Sequence, residues 1–465
     1  MTRFFHRIPQ TWLAFLLALF LYSLAAGPTL FRQSVAPHYV YLADALLHGR
    51  LDVAQPPTSY DMLVVDGRNF VAQSPMPAIL LMPVVALFGK GVSDVLFSVV
   101  VGALNVGLVQ SMFKRRWLTL LFAFGTPHLY LAALGSTWFT AHVVAIFFGL
   151  LAVREALGLA TETWRTHSDS SISSVPSVSP WFHWLLSGLW LACAGFSRPS
   201  MLFGAVFFLV LIWLNGWKRS VATHMPRHAG AGRISSRLRV LVVDRRVRVD
   251  WRSFVCFSTA VALGVAAHGV YNAARFGQAT DFGYQHVVGA PNITSTYLHY
   301  GGFNPRFAPC NLFVSILNPP EVSGSVPPIL YDVCGYLLEG VNLSDPSTLI
   351  APNPLGMSLF ITTPAFVLLF AARRREPTTL AAWIGLLATM IPLWMYHNTG
   401  SLQFGYRYWM DAAPMWLLLL AEPLRRFETF ARVLILVSVA INVWGLLWMF
   451  EKFAGASWWR LVSGG

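Results

Sequence analysis

Long runs of apolar residues, separated by short polar segments, follow one another along most of the chain. We predict eleven spans from these runs, several of which reach the roughly 20 residues that an α-helix needs to cross a bilayer. They cover 11–30, 92–113, 117–134, 139–157, 181–196, 201–217, 254–274, 355–371, 379–396, 409–421 and 433–450. The pattern predicts an all-α integral membrane protein of about eleven transmembrane helices, organised as a single polytopic membrane domain over 1–465.

A polar and amphipathic stretch, residues 31–75, interrupts this pattern after the first run. Residues 40–50 predict a juxtamembrane amphipathic helix, with Asp44 and His48 four positions apart on its polar side. The next apolar segment, 75–89, is short and broken by prolines, which favours an interfacial or re-entrant helix over a span. We therefore expect a first extracytoplasmic loop, 31–91, that contains interfacial helices.

The distribution of positive charge supports this topology. With a cytoplasmic N-terminus, the inner segments hold 23 of the 33 Lys and Arg residues, as the positive-inside rule requires. Counting 75–89 as a span would move the basic loop 218–253 outside. The net charge of +13 is then mainly an orientation signal, and we expect no nucleic-acid partner. The prediction is a multi-pass protein of the cell inner (plasma) membrane with an extracytoplasmic C-terminus.

The segment 275–354 predicts a large extracytoplasmic loop, rich in Gly, Pro, Asn and aromatic residues. A polar segment of this length beside a membrane bundle is usually functional. Cys310 and Cys334 both fall in it, so they are candidates for a disulfide, with two free thiols as the alternative. Cys193 and Cys256 lie in predicted spans, where a thiol behaves as a small apolar side chain.

Several short motifs resemble those of the GT-C glycosyltransferases, which are polytopic enzymes that use polyprenyl-phosphate sugars. The first outer loop of that family carries a Tyr and an LA…LL.G frame, matched here by Tyr39, Leu42, Ala43, Leu46, Leu47 and Gly49. The segment GFSRPSML (195–202) resembles the family's turn between two middle spans, with Arg198 in the basic position. The segments YNAARFGQATDFGYQ and FGYRYWMDAAP resemble stretches common in bacterial members.

The resemblance implies transfer of a sugar from a polyprenyl-phosphate donor to a glycan, lipid or protein acceptor of the cell envelope, on the extracytoplasmic side. The family's catalytic Asp-Glu pair aligns with Val35 and Ala36, so other residues must take the acceptor proton. Our catalytic candidates are Asp44, His38 and His48. Our candidates for binding substrate and its phosphate are Tyr39, Arg198, Arg275 and Arg407. A divalent metal ion is left open as a cofactor, and no residue is assigned to it.

Two other function classes stay open at this point. A transporter or flippase of a lipid-linked substrate would use broken helices near the bilayer midplane. A non-catalytic envelope assembly protein would account for the missing acidic pair. The arginines also fit a simpler role as residues that reach the headgroup level, and the helix at 40–50 fits a purely interfacial one.

Overall fold

The computed structural model describes residues 9–168, 180–223, 250–339, 341–373 and 376–455. The predicted cytoplasmic N-terminus, most of the basic loop 218–253 and the predicted extracytoplasmic C-terminus lie outside the described residues. Within these ranges the chain is predominantly helical. Its α-helices are α1 (Gln10–Ala26), α2 (His38–Leu47), α3 (Met76–Phe88), α4 (Asp94–Phe113), α5 (Arg116–Phe124), α6 (His128–Leu134), α7 (Thr137–Ser168), α8 (Pro180–Gly195), α9 (Ala205–Thr223), α10 (Trp251–Phe276), α11 (Pro291–Tyr300), α12 (Ala308–Ile316), α13 (Pro328–Leu338), α14 (Leu359–Thr362), α15 (Pro377–Trp394), α16 (Ala413–Ala421), α17 (Pro423–Arg426) and α18 (Glu428–Ala454).

Six helices in the described ranges are long and apolar enough to cross a membrane, which defines a helical membrane protein. They are Gln10–Thr29, Asp94–Phe113, Thr137–Gly158, Trp251–Phe276, Pro377–Trp394 and Glu428–Ala454. The pair α5 and α6 would make a seventh span, bent by 57° at the break between the two helices. Pro127 stands at that break, where a helix interior would lose a backbone hydrogen bond.

The four other predicted spans are built from shorter or interrupted helices. The run 181–196 forms α8, and 201–217 joins a 3₁₀ helix, Pro199–Gly204, to α9. The run 355–371 is divided between α14 and the 3₁₀ helix Pro364–Ala371, and 409–421 joins the 3₁₀ helix Arg407–Ala412 to α16. Proline begins several of these segments because it fixes φ and donates no hydrogen bond to a preceding turn. The total of eleven spans therefore remains a prediction.

Glycines allow α8 and α10 to pack closely. A Cβ added to Gly264 would lie 2.4 Å from the Cβ of Ala192, and one added to Gly188 would lie 2.7 Å from the carbonyl oxygen of Phe257. Small residues at such positions let two helix backbones approach and gain dispersion energy, which is the main source of helix association in lipid.

A β-hairpin forms in the first loop beside the predicted juxtamembrane helices. Strand β1 (Met62–Val65) pairs antiparallel with β2 (Arg68–Val71), with Met62 opposite Val71. Asp66 and Gly67 form the turn with φ of 50° and 73°, the backbone that a tight two-residue hairpin turn requires. An isolated β-bridge between Leu63 and Val287 connects the hairpin to the second loop, residues 275–354.

The second loop is an ordered unit in its described part. It contains α11, α12 and α13, and the short strands β3 (Glu321–Val322) and β4 (Ile350–Ala351) pair antiparallel. Cys310 of α12 and Cys334 of α13 form a disulfide, with Cα atoms 5.0 Å apart. The two large loops are thus connected to one another, and the disulfide crosslinks the second, which gives a fixed framework for side chains at this end of the helices.

Candidate functional site

The carboxylate of Asp411 accepts hydrogen bonds at the centre of a buried polar cluster. Asp411 lies in the 3₁₀ helix Arg407–Ala412, which leads into α16. Its carboxylate accepts hydrogen bonds from Arg198 Nε at 2.8 and 3.0 Å and from Ser200 Oγ at 2.6 Å. His142 of α7 places Nδ1 2.8 Å from the same carboxylate, and both side chains are fully enclosed. A buried charge with these partners is compensated and fixes the positions of its neighbours.

Arg198 keeps part of its guanidinium free for a further anion. Only Nε bonds to Asp411, and the side chain is 17% exposed. Among the described residues, its terminal amino groups have no hydrogen-bond or ion-pair partner. The guanidinium carbon lies 5.3 Å from the ring centroid of Tyr408, within cation–π distance.

Arg407 is a buried cation without a carboxylate partner in the part of the chain that the structure describes. The residue is 8% exposed, and its Nε has no hydrogen-bond partner there. Its guanidinium carbon lies 5.7 Å from the ring centroids of both Phe139 and Tyr408. Burying an uncompensated charge is costly, so such an arginine is typical of a site that receives an anionic ligand. Arg198 and Arg407 therefore flank the same aromatic ring, Tyr408.

Asp61 brings a carboxylate into this neighbourhood from the first loop. Its Oδ2 accepts hydrogen bonds from the indole nitrogen of Trp138 and from Nε2 of Gln73, the latter at 2.8 Å. Burial raises the pKa of the Asp61 carboxyl, and these two hydrogen bonds and the charge of Arg407 oppose that rise. A carboxylate with a raised pKa is the ordinary form of a general base near neutral pH.

Two tyrosines complete the surroundings of Asp61. Tyr284 and Tyr396 share a side-chain hydrogen bond, and burial together with the charge of Asp61 raises the pKa of Tyr284 to about 12. Both hydroxyls therefore stay protonated near neutral pH, and the one that accepts the shared hydrogen bond keeps its own proton to donate to a ligand. Aromatic faces beside hydroxyls and a carboxylate form a surface suited to a polar ligand with apolar faces, such as a sugar.

The local fold explains how Asp61 reaches the site. It directly precedes β1, and its φ of 60° turns the chain into the hairpin. Its backbone nitrogen donates to the carbonyl oxygen of Val288 at 2.6 Å, and Val288 donates back to Met62 at 2.8 Å. Trp138 enters from the start of α7, just after Gly135 and Ser136 with φ of 61° and 76°. Two strained turns thus direct Asp61 and Trp138 at each other.

The predicted catalytic residues of the first loop occupy different positions. Asp44 lies in α2 with Oδ2 3.8 Å from Lys90 Nζ. Its Oδ1 lies 3.7 Å from Nδ1 of the largely exposed His48. Within the described ranges, no hydrogen bond or ion pair links it to the arginines of the site. His38 is fully buried, and this burial lowers its pKa to about 4, so it is neutral and a weak base near pH 7.

Of the four predicted substrate-binding residues, the structure brings two arginines together beside one aromatic ring. Arg198 and Arg407 meet at Tyr408, as described above. Tyr39 is 1% exposed, and its hydroxyl has no hydrogen-bond partner among the described residues. Arg275 is instead bound to protein groups, donating to the carbonyl oxygen of Val71 at 2.9 Å and to Oδ1 of Asn272 at 2.8 Å.

Asp61, Trp138, His142 and Asp411 are not among the residues that the sequence predicts as catalytic or substrate-binding. Asp411 stands in the FGYRYWMDAAP segment, where a carboxylate four residues after Arg407 suggests a local ion pair instead. It pairs with Arg198 and His142, and the latter lies 269 positions away in the chain. Asp61 is one of four acids in the first loop, and no local pattern separates it from the others.

No group of three or more His, Cys, Asp or Glu side chains that could hold a metal ion occurs among the described residues. In particular, Asp61 and Asp411 each have neutral or cationic partners in their immediate surroundings. These residues do not form a ligand set for the divalent metal ion that the sequence left open, and we assign it no step.

The fold and these contacts define a multi-pass helical membrane protein with a polar site under its two large loops. No protein-family model matches the chain, and no curated protein sequence matches it. Among solved structures, it is similar to the oligosaccharyltransferase of Archaeoglobus fulgidus in its apo form, with 14% sequence identity and a TM-score of 0.42. The similarity covers 95% of this chain and 56% of that protein, so the chain spans little more than half the other's length. This degree of similarity does not establish a shared activity.

Proposed function

We propose that the protein is a membrane glycosyltransferase that moves a sugar from a polyprenyl-phosphate donor to an acceptor of the cell envelope. The observation that carries the proposal is a buried carboxylate, Asp61, near enough to a buried arginine, Arg407, for the arginine's charge to lower its pKa, although no ion pair joins these two described residues. Transfer from a lipid phosphate needs a base for the acceptor and a cation for the departing phosphate. The site offers both.

Asp61 is assigned as the acceptor base. The acceptor hydroxyl gives its proton to the carboxylate while its oxygen bonds to the anomeric carbon of the sugar. The bond from that carbon to the phosphate oxygen breaks, and its electron pair stays on the departing polyprenyl phosphate. The hydrogen bonds from Trp138 and Gln73 keep the carboxylate oriented, so that one oxygen faces the acceptor.

Arg407 and Arg198 are assigned to the phosphate. Arg407 carries the larger share because no ion pair holds it within the described ranges, whereas Asp411 holds Arg198 through Nε. Asp411 and His142 then act as positioning residues that fix the direction of the Arg198 guanidinium. Tyr284, Tyr396 and Trp138 are assigned to the sugar, through hydroxyl donors and ring faces.

The charge distribution supports a location on the extracytoplasmic side of the inner membrane. All of the assigned residues lie in or beside segments that the positive-inside rule places outside. A lipid donor can enter such a site from the outer leaflet, while a polar acceptor approaches from the aqueous side. We propose a glycan, a lipid or a protein of the envelope as the acceptor.

Transport is the second candidate, favoured by the bent pair α5 and α6, because transporters place broken helices at their substrate sites. One experiment separates the two functions. The full chain is reconstituted in vesicles with polyprenyl-phosphate hexoses and pentoses carrying a labelled sugar, together with an envelope membrane extract. Labelled product together with free polyprenyl phosphate supports transfer, whereas movement of intact donor between leaflets without product supports transport. If neither labelled product nor movement of the donor is observed, both proposals fail.

A further inference from the structure

Arg275 occupies an unusual position for a cation at the end of a transmembrane helix. It lies near the C-terminal end of α10 and is only 8% exposed. Its guanidinium carbon lies 4.0 Å from the ring centroid of Tyr271 and 4.5 Å from that of Phe276. Arginines that merely reach for the headgroup level keep their guanidinium in water. Here the group is enclosed between two rings and directed inward.

The hydrogen bonds of Arg275 lead to the hairpin that carries Asp61. Nη1 donates to the carbonyl oxygen of Val71 at 2.9 Å, and Nη2 donates to Oδ1 of Asn272 at 2.8 Å. Val71 is the last residue of β2 and stands opposite Met62, the residue that follows Asp61. A charge-assisted hydrogen bond to a strand end is a strong restraint on the position of that strand.

The same strand end controls a second contact of Asp61. Gln73 follows Val71 by two residues and donates to the Asp61 carboxylate at 2.8 Å. A shift of Val71 would therefore displace both the backbone beside Asp61 and one of its two hydrogen-bond donors. The edge-to-face contact of Phe70 with Phe276, at 5.6 Å between centroids, ties the same strand to the residue next to Arg275.

We propose that Arg275 is a positioning residue, which clamps β2 through the Val71 carbonyl and thereby sets the place of Asp61 in the site. This inference rests on the proposed function for its catalytic consequence, since Asp61 is the assigned base. The clamp itself is a property of the fold and can be tested without any activity. In this account Arg275 does not touch the donor phosphate, which is left to Arg198 and Arg407.

The first test measures the clamp directly by hydrogen–deuterium exchange of the full chain in nanodiscs. Arg275→Gln should speed exchange of the 62–71 amides about tenfold, because a hydrogen bond to a charged group is lost at the strand end. Peptides from α11 and α12 should be unchanged. Arg306→Gln, a change at an exposed arginine of the same outer loop, is the matched control. Unchanged exchange in 62–71 would overturn the clamp, whatever the protein's activity.

The second test measures the catalytic consequence in the vesicle transfer assay. Arg275→Gln should lower kcat by about a hundredfold, as small displacements of a reacting group do, while KM for the donor changes less than threefold. The acid limb of the pH profile should shift, because a displaced hairpin changes both the burial of Asp61, which raises its pKa, and the Gln73 hydrogen bond, which lowers it. Arg275→Lys should restore part of kcat, since an ammonium can still donate to Val71.

A milder variant distinguishes a loss of positioning from a general loss of folding. Asn272→Ala removes the acceptor that orients Arg275, and it should give the same exchange and pH changes at smaller size. A KM effect with unchanged kcat and an unmoved acid limb would indicate that Arg275 binds donor instead, and would overturn the positioning role. If the wild-type chain transfers no sugar at all, the proposed function fails, while the exchange test still decides the clamp.

Discussion

The indole nitrogen of Trp138, at the start of α7, donates a hydrogen bond to the carboxylate of Asp61 in the first large loop. The bond joins residues that are 77 positions apart in the chain. It also connects the membrane bundle to the loop framework, because Trp138 packs against Phe139 and against Phe453 of α18. The proposed base is therefore held from the bundle side by α7 and from the loop side by its hairpin.

Replacing this indole should change the pH dependence of transfer. The hydrogen bond from Trp138 lowers the pKa of Asp61, so Trp138→Phe should raise that pKa and move the acid limb of kcat/KM to higher pH by roughly one pH unit. The measurement is a pH–rate profile in vesicles. Trp213→Phe, in a lipid-exposed position of α9, is the matched control. A shift of the limb to lower pH would contradict this assignment of the bond.

The buried arginine should matter for the departing phosphate. Arg407→Met should lower kcat/KM about 10²- to 10³-fold, as the loss of one stabilising group for developing charge typically does. Because Arg407 also lowers the pKa of Asp61, the remaining activity should have its acid limb at higher pH. Arg306→Met should leave both quantities unchanged. Equal effects of the two substitutions would show that the loss of activity is not specific to the site.

The disulfide should contribute to the stability of the second loop. Cys310 and Cys334 are 24 positions apart, and closing a loop of that length corresponds to about 3 kcal/mol in the chain-entropy account. Cys334→Ser should lower the temperature of half-denaturation in detergent, and reductant should do the same to the wild-type protein. Cys193→Ser, at a free cysteine, should change neither. A reductant-insensitive wild type would contradict the presence of the bond in the mature protein.

The close approach of α8 and α10 should tolerate no larger residue at Gly264. A Leu there would overlap Ala192 and force the helices apart, at a cost of about 1–3 kcal/mol or more. The expected result is a lower temperature of half-denaturation. Gly335→Ala in α13, where an added Cβ meets nothing within 4 Å, should be neutral or mildly stabilising. Equal stability of both variants would contradict the observed packing.

The helical membrane architecture could be predicted from sequence because continuous apolar runs determine it locally. Spans such as α4 and α15 coincide with such runs to within two residues at each end. The run 201–217, just after Pro199, and the run 355–371, which contains Pro364, proved shorter or interrupted, since hydrophobicity alone does not report where proline ends a helix. The number of spans is for that reason the weaker part of the prediction.

The candidate site was predictable only in part, for a different physical reason. Arg198 and Arg407 stood out as single cations at membrane edges, and both lie beside Tyr408. Asp44 was favoured by its four-residue spacing to His48, a local relationship that also fits an exposed helix face. Asp61 reaches the site through hairpin pairing and through Trp138, and such long-range contacts leave no periodic signal in a single sequence.

The most direct test of the proposed function compares Asp61→Asn with Asp44→Asn in the same vesicle transfer assay, at matched protein amounts. The amide keeps the shape of Asp61 but cannot take the acceptor proton, so transfer should fall about 10²- to 10⁴-fold. Asp44→Asn, which acts at a surface pair with Lys90, should retain transfer within about twofold, since surface ion pairs contribute little. Full transfer by Asp61→Asn, or its loss only in Asp44→Asn, would contradict the assignment of Asp61 as the base.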